Sequence, residues 1–251
     1  MSEQPKKQTW WQRLGLALSA LLVVFLIVGY VGKKYLAAKP WFWGMQIRSY
    51  EKQDKKSFPK PGQILFVGSS SIRYWKTLRR DMKPLPVINR GFGGAHMSHV
   101  NYYAKRIVFP YKPKLIVLYA GENDISHGTS ASQVLADLTT FVKLVKTKLP
   151  NVPIYYLSIK PSLLRWKQWK AMQAANQMLK VYVEKTQGIE WVDVASGMLL
   201  SNGKVRKDIF VWDRLHMNDK GYITWTSILK PRLLQAWKKL SSKPTTQRTK
   251  P

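Results

Sequence analysis

The chain has 251 residues, of which 45% are hydrophobic, and its 42 Lys and Arg against 13 Asp and Glu give a formal net charge of +29. This length and apolar content are enough to bury one domain-sized core with short appendages. The absence of cysteine excludes a disulfide scaffold, thiol catalysis and zinc or iron–sulfur clusters bound by cysteine.

The first predicted element is an apolar helix over residues 14–32, which follows a basic segment over residues 1–13. The run has 19 residues without a charge, and Arg13 and Lys33 stand at its two ends. At 1.5 Å per residue such a helix is about 28 Å long, close to the hydrocarbon thickness of a bilayer. We predict an uncleaved transmembrane anchor. The alternative is a cleaved signal peptide, whose apolar region is usually only about 7–15 residues long.

The segment after this helix, residues 33–61, is rich in lysine, proline and aromatic residues. Tryptophan favours the interface between membrane and water, so the segment is predicted to be a juxtamembrane connector. Basic residues stand on both sides of the apolar helix. The positive-inside rule therefore gives no clear orientation.

Residues 62–237 alternate short apolar runs with longer amphipathic segments. Predicted strands lie near 63–67, 86–89, 115–120, 153–158 and 189–194, and predicted helices near 71–80, 97–108, 131–148, 166–186 and 219–238. Such alternation is typical of a parallel sheet with helices on both faces. We predict a three-layer α/β/α domain with a flavodoxin-like sheet of five strands. Ligands of such sheets bind beyond the carboxyl ends of the strands.

The first strand is followed by Gly68 and three consecutive serines at the start of a helix. A turn of this kind places a serine at a helix N-terminus, where free N–H groups and the helix dipole favour developing negative charge. The alternative is that the serines only form the turn and cap the helix. Arg73 and Trp75, which follow, are either packing residues or part of a pocket wall.

Each of the next two strands also ends in glycine and a polar side chain, in the segments 89–94 and 121–124. His96 and His99 have the spacing of a metal-binding pair, but without a third ligand in register we interpret them as surface or packing residues. Residues 160–166 follow the fourth strand and fall on the same rim. They are interpreted as an ordinary loop, with the wall of a substrate pocket as the alternative.

A carboxylate and a histidine, Asp213 and His216, are three residues apart near the end of the domain. One short turn can bring the carboxylate to the imidazole, where it fixes the tautomer and stabilises the imidazolium. A serine brought to the same place by folding would complete a nucleophile, a base and a group that orients the base.

These four segments, in this order, resemble the sequence blocks of the SGNH hydrolases, also called GDSL esterases and lipases. The resemblance covers about residues 62–237 and implies that Ser70 is the nucleophile, His216 the base and Asp213 the orienting carboxylate. It also implies an oxyanion hole formed by the backbone N–H groups of Ser70 and Gly94 and the side-chain amide of Asn123.

One position departs from the family pattern, because Ser69 stands where the family usually has aspartate. Ser69 and Ser71 therefore remain alternative nucleophiles. The resemblance implies a serine esterase that acts on a lipid or an acylated glycan without a metal or organic cofactor. The alternatives are an O-acyltransferase or deacetylase acting on envelope polysaccharide, and a noncatalytic binder of acidic envelope polymer.

The positive charge is not confined to the termini, since residues 61–237 carry 26 Lys and Arg against 10 Asp and Glu. A domain this basic is attracted to anionic surfaces, and beside a membrane anchor the expected partner is a bilayer with anionic lipid. No nucleic-acid motif occurs, so no nucleic-acid partner is expected.

By analogy with anchored SGNH relatives, the domain is expected outside the cytoplasm. Residues 238–251 are predicted to be a disordered basic tail.

Overall fold

The computed structural model describes residues 9–242, so the expectations for residues 1–8 and 243–251 lie outside the described residues. Helix α1 (Trp10–Ala37) begins at a capping box in which the Thr9 hydroxyl accepts from the Gln12 N–H and the Gln12 side chain accepts from the Thr9 N–H. The stretch Trp10–Gly29 is long and apolar enough to cross a membrane, and none of it is buried.

Among the described residues, the α/β domain contains one sheet of five parallel strands. They are β1 (Ile64–Gly68), β2 (Val87–Gly91), β3 (Leu115–Tyr119), β4 (Ile154–Leu157) and β5 (Ile189–Val192). Their order is β2-β1-β3-β4-β5, which is the flavodoxin-like order. The predicted fold class is therefore confirmed.

The described domain has eight α-helices, of which those over residues 44–56 and 122–126 were not predicted, and the others lie close to predicted positions with two differences. The eight helices are α2 (Gly44–Lys56), α3 (Ser70–Arg73), α4 (Leu78–Asp81), α5 (Met97–Ile107), α6 (Glu122–Ser126), α7 (Ala131–Lys148), α8 (Trp169–Glu184) and α9 (Asp219–Ser241). The helix expected near residues 71–80 is two short helices, α3 and α4. Helix α9 continues to Ser241, past the expected start of the tail at residue 238.

The core lies on both faces of the sheet. In β1, Leu65 and Val67 belong to the cluster packed by α5, α7 and α8, whereas Ile64 and Phe66 belong to the cluster packed by α3, α4 and α9. Successive side chains of a strand point to opposite faces, and here both faces are covered. This double burial explains why the strands are continuous apolar runs.

Helix α2 lies within the region predicted to be a juxtamembrane connector. Its sequence is mostly polar, but Ile47 is fully buried in the core of the α/β domain, and Gly44 is buried as well. The compact unit formed by the domain begins at Trp43. The structure thus differs from the expected connector, because residues 44–56 form a helix of the α/β domain.

Candidate active site

The site begins where β1 ends at Gly68. This residue has φ +133°, and a Cβ there would lie 1.9 Å from the carbonyl oxygen of Tyr119 on β3. Only glycine permits so close an approach of two backbones. The Ser69 N–H then donates to the same Tyr119 carbonyl at 2.9 Å, and Ser70 follows as the first residue of α3. The chain therefore turns sharply at the carboxyl edge of the sheet.

Ser70, His216 and Asp213 form a hydrogen-bonded chain, although Ser70 and His216 are 146 positions apart in the sequence. The distance from Ser70 Oγ to His216 Nε2 is 2.9 Å, and that from His216 Nδ1 to Asp213 Oδ2 is 2.5 Å. This is the arrangement in which an imidazole can take the proton of a serine while a carboxylate orients the ring.

The loop that carries Asp213 and His216 is fixed by its own backbone. Asp213 Oδ1 accepts from the N–H groups of Leu215 and His216, each at 2.9 Å, and Arg214 adopts a left-handed φ of +61°. Partial burial raises the pKa of Asp213, but the hydrogen bonds from His216 and Leu215 outweigh it and hold the pKa below its usual value. The carboxylate is thus ionised at neutral pH and ready to pair with an imidazolium.

The two alternative nucleophiles, Ser69 and Ser71, are buried, with 2% of each residue exposed. The Ser69 N–H donates to the Tyr119 carbonyl, and the carbonyl of Ser71 accepts from the hydroxyl of Tyr222. The hydroxyl that contacts His216 belongs to Ser70, which is partly exposed.

The residues expected to form an oxyanion hole lie on three segments at this edge. Ser70 is the first residue of α3, a position whose N–H has no acceptor within its own helix. Gly94 lies in the loop after β2 with φ +58°, and Asn123 lies in α6 directly after β3. Asn123 Nδ2 donates one hydrogen to the carbonyl of Ala95 at 3.0 Å, and an amide nitrogen carries a second hydrogen.

Lys160 and Arg165 both form ion pairs with Glu122, the residue before Asn123. The sequence patterns did not single out either of these basic residues. Glu122 is 3.1 Å from Lys160 Nζ and 3.2 Å from Arg165 Nη1. Arg165 Nη2 also donates to Asn123 Oδ1 at 3.0 Å. Burial raises the pKa of Glu122, but the two cations outweigh it and hold the pKa below its usual value. The guanidinium therefore holds the Asn123 amide with its nitrogen pointing away from Arg165.

Lys160 connects this cluster to the loop that carries Asp213 and His216. It is fully buried, and its Nζ donates to the carbonyl of Leu215, between Asp213 and His216, at 2.8 Å. Tyr119 adds a hydroxyl that donates to Glu122 at 2.7 Å. Residues 160–166 are therefore more than an ordinary loop. The sequence predicted the position of this segment on the rim, but it did not predict the ion pairs of Lys160 and Arg165 with Glu122.

The rim of the site carries Arg73 and Tyr74, three and four residues after Ser70. The ring of Tyr74 contacts that of His216 edge-on, with centroids 4.8 Å apart, and the Arg73 guanidinium lies 5.4 Å from the Tyr74 centroid. Trp75 is instead a core residue, stacked on Tyr222 and 1% exposed. Of the two residues left open by the sequence, Arg73 lies at the site and Trp75 packs in the core.

His96 and His99 are packing residues, as expected. Both are buried, and their rings stack with centroids 4.6 Å apart. In residues 9–242 no group of three or more His, Asp or Glu side chains is arranged to hold a metal ion. Asp124 accepts from the Met97 N–H at the start of α5, and burial raises its pKa to about 7.

Comparison with known proteins adds independent information. The model of the GDSL-like Lipase/Acylhydrolase family matches residues 66–222. The platelet-activating factor acetylhydrolase IB subunit alpha2 of Rattus norvegicus is 32% identical over 182 residues, which are 68% of this chain and 75% of that protein. The Homo sapiens protein of the same name has the same identity and coverage.

Solved structures show the same fold. A GDSL-like lipase from Bacteroides thetaiotaomicron superposes with a TM-score of 0.66 and 18% identity, over 76% of this chain and 98% of that one. An acetyl xylan esterase from Geobacillus stearothermophilus superposes with a TM-score of 0.57 and 16% identity, over 70% and 95% of the two chains.

Proposed function

This chain belongs to the GDSL-like lipase/acylhydrolase family, and from that premise we propose that it is a membrane-anchored serine esterase whose triad is Ser70, His216 and Asp213. The 2.9 Å contact between Ser70 Oγ and His216 Nε2 carries the proposal, because a serine is a competent nucleophile at neutral pH only beside a base.

The reaction proceeds through an acyl-enzyme. His216 takes the proton of Ser70 as Oγ attacks the acyl carbonyl, and Asp213 stabilises the imidazolium. The N–H groups of Ser70 and Gly94 and the amide of Asn123 hold the oxyanion. His216 returns the proton to the departing alcohol. Water, activated by the same imidazole, then releases the acid.

The proposed acyl group is short. The relatives at 32% identity are named acetylhydrolases, which favours acetyl over long acyl chains. The alcohol part is proposed to be a lipid, because the predicted anchor holds the chain at a membrane, and the basic surface of the domain favours an anionic one. An acetylated glycan is the second candidate for the alcohol part, since the fold is also that of an acetyl xylan esterase.

The substrate proposal is tested with aryl esters from acetyl to long acyl, with acetylated glycans and acetyl-ester lipids assayed beside them. We expect turnover to fall as the acyl chain lengthens and to vanish in Ser70→Ala. Ser69→Ala and Ser71→Ala should retain it if they fold. Equal turnover of long and short esters would contradict the short acyl group, and turnover that survives in Ser70→Ala would contradict the triad.

The anchor is assigned to residues 14–32, and the catalytic domain is proposed to lie outside the cytoplasm. An apolar helix that spans the bilayer resists high salt and alkali, whereas attraction to anionic lipid is screened by salt. The full-length protein should therefore stay in the membrane fraction after both washes, and release by salt alone would contradict the anchor. Protease added outside intact cells should digest the domain; protection until lysis would place it inside.

A further inference from the structure

We propose that helix α2, the first helix after the predicted anchor, positions the loop that carries the oxyanion glycine. This inference rests on the proposed role of Gly94. The loop runs from Gly91, the last residue of β2, to Gly94, and it is here called the oxyanion loop. Two residues in the first half of α2 and the residue directly before the helix contact this loop.

Trp43, the residue before α2, lies directly against the two glycines at the end of the oxyanion loop. A Cβ at Gly94 would lie 2.4 Å from Cζ2 of the Trp43 ring, and one at Gly93 would lie 3.0 Å from Cζ3. Gly94 also has φ +58°, which disfavours any other residue. The indole ring therefore forms a wall against the backbone of the oxyanion loop, and the loop cannot shift toward it.

The polar contacts of α2 hold two backbone groups of the same loop. Gln46 Oε1 accepts from the Gly93 N–H at 3.1 Å, and the Tyr50 hydroxyl donates to the Gly91 carbonyl. Burial raises the pKa of Tyr50, so the hydroxyl keeps the proton it donates. Gln46 and Tyr50 are four residues apart and therefore lie on one face of α2.

Helix α2 is itself held in place by its contacts with the rest of the domain. Asp54 pairs with Arg90, the residue before the oxyanion loop, at 2.5 Å, and Glu51 pairs with Arg106 of α5 through two contacts of 2.6 and 2.7 Å. Ile47 of the same helix is buried in the core of the domain. The helix is fixed to β2 and α5 and can transmit that rigidity to the loop.

Rigidity at this place matters for rate. An oxyanion donor is worth about 10²–10³ in turnover, and a displacement of about 1 Å can cost on the order of 10²-fold. The contact of Gln46 with Gly93 sets the peptide that precedes the proposed donor of Gly94. Loss of that contact should therefore lower kcat more than it raises KM, because the donor acts on charge present only in the transition state.

The test uses the full-length protein in detergent and a soluble acetyl aryl ester. Gln46→Met keeps the size of the side chain but removes the acceptor, whereas Gln46→Glu keeps an acceptor oxygen. Gln53→Met makes the same exchange on the exposed side of α2 and serves as the control. We expect kcat to fall about 10-fold in Gln46→Met with KM changed less than about two-fold, and to stay near wild type in Gln46→Glu and Gln53→Met.

The outcomes separate this inference from the proposed function. An active wild type with an equally active Gln46→Met would contradict the inference alone, and so would a loss that Gln46→Glu shares or that appears only as lower thermal stability. A wild type without turnover that depends on Ser70 would contradict the proposed function and this inference with it.

Discussion

Arg165 donates a hydrogen bond from Nη2 to the side-chain oxygen of Asn123 across 3.0 Å, and its other terminal nitrogen pairs with Glu122. A planar guanidinium can hold both acceptors at once, whereas an ammonium is a point charge. The side chain proposed to stabilise the oxyanion is thus oriented by a cation that the sequence motifs do not include.

Replacing Arg165 by methionine should lower kcat about 10-fold with little change in KM, because the Asn123 amide loses its orientation. The loss should be smaller than that of Asn123→Ala, which removes the donor and should cost about 10²–10³ in kcat. Steady-state kinetics on a soluble acetyl ester measures both. A change in Arg165→Met confined to KM would show that Arg165 binds substrate instead.

Lys160 should contribute strongly to stability. Lys160→Met removes the donor to the Leu215 carbonyl and leaves Glu122 paired with Arg165 alone. Breaking a buried ion pair in this way lowers the free energy of unfolding by about 3–5 kcal/mol. Urea denaturation measures the loss, with the exposed Lys170→Met as control. The double variant with Glu122→Gln should lose less than the two single losses together. Strict additivity would argue against an energetic link between the two residues.

Asp213→Asn should fold as the wild type does but lose up to about 10⁴ in turnover, since an asparagine amide favours the wrong imidazole tautomer. The contact from His216 Nδ1 to Asp213 Oδ2 is 2.5 Å, and the same carboxylate accepts two backbone N–H groups. Burst-phase kinetics with an aryl acetate should show that formation of the acyl-enzyme is slowed. Turnover within about 10-fold of wild type would remove Asp213 from the proposed triad.

His96 should make the fold sensitive to acid. Burial, with the nearby His99, His127 and Arg165, lowers the pKa of His96 to about 3, whereas an unfolded histidine titrates near 6.5. The unfolded state therefore binds the proton first, and stability falls as the pH drops from about 6.5 toward 3, by up to about 1.4 kcal/mol per pH unit. His96→Asn should flatten this dependence in urea titrations. Parallel curves for wild type and variant would show that His96 is not responsible.

The sequence predicted the sheet for a physical reason, and the same reason indicated where part of the proposed site should lie. Buried parallel strands are continuous apolar runs, and the glycine at the end of β1 marks a place where backbones meet closely, because Gly68 approaches Tyr119 of β3. Ser70, Gly94 and Asn123 follow strand ends, so their positions could be predicted. Asp213 and His216 were instead identified by their spacing of three residues. The order of these residues along the chain supplied the family resemblance.

The sequence did not predict α2 or the cluster around Glu122. Helix α2 is mostly polar and buries few residues, Ile47 among them, so it lacks a clear apolar stripe. Its contacts with the oxyanion loop, like that of Lys160 with Leu215, join residues about 40 to 55 positions apart. Such pairs depend on the tertiary fold and leave no local pattern. A chain that begins near Lys60 would therefore lack a helix of the domain.

The most direct measurement of the central claim is the site of labelling by a fluorophosphonate, which reacts with a serine activated by a base. Intact folded protein should gain one adduct, and peptide mass spectrometry should place it on Ser70. Asp213→Asn should react much more slowly. An adduct on Ser69 or Ser71, or folded wild-type protein that gains no adduct at all, would contradict the proposed triad.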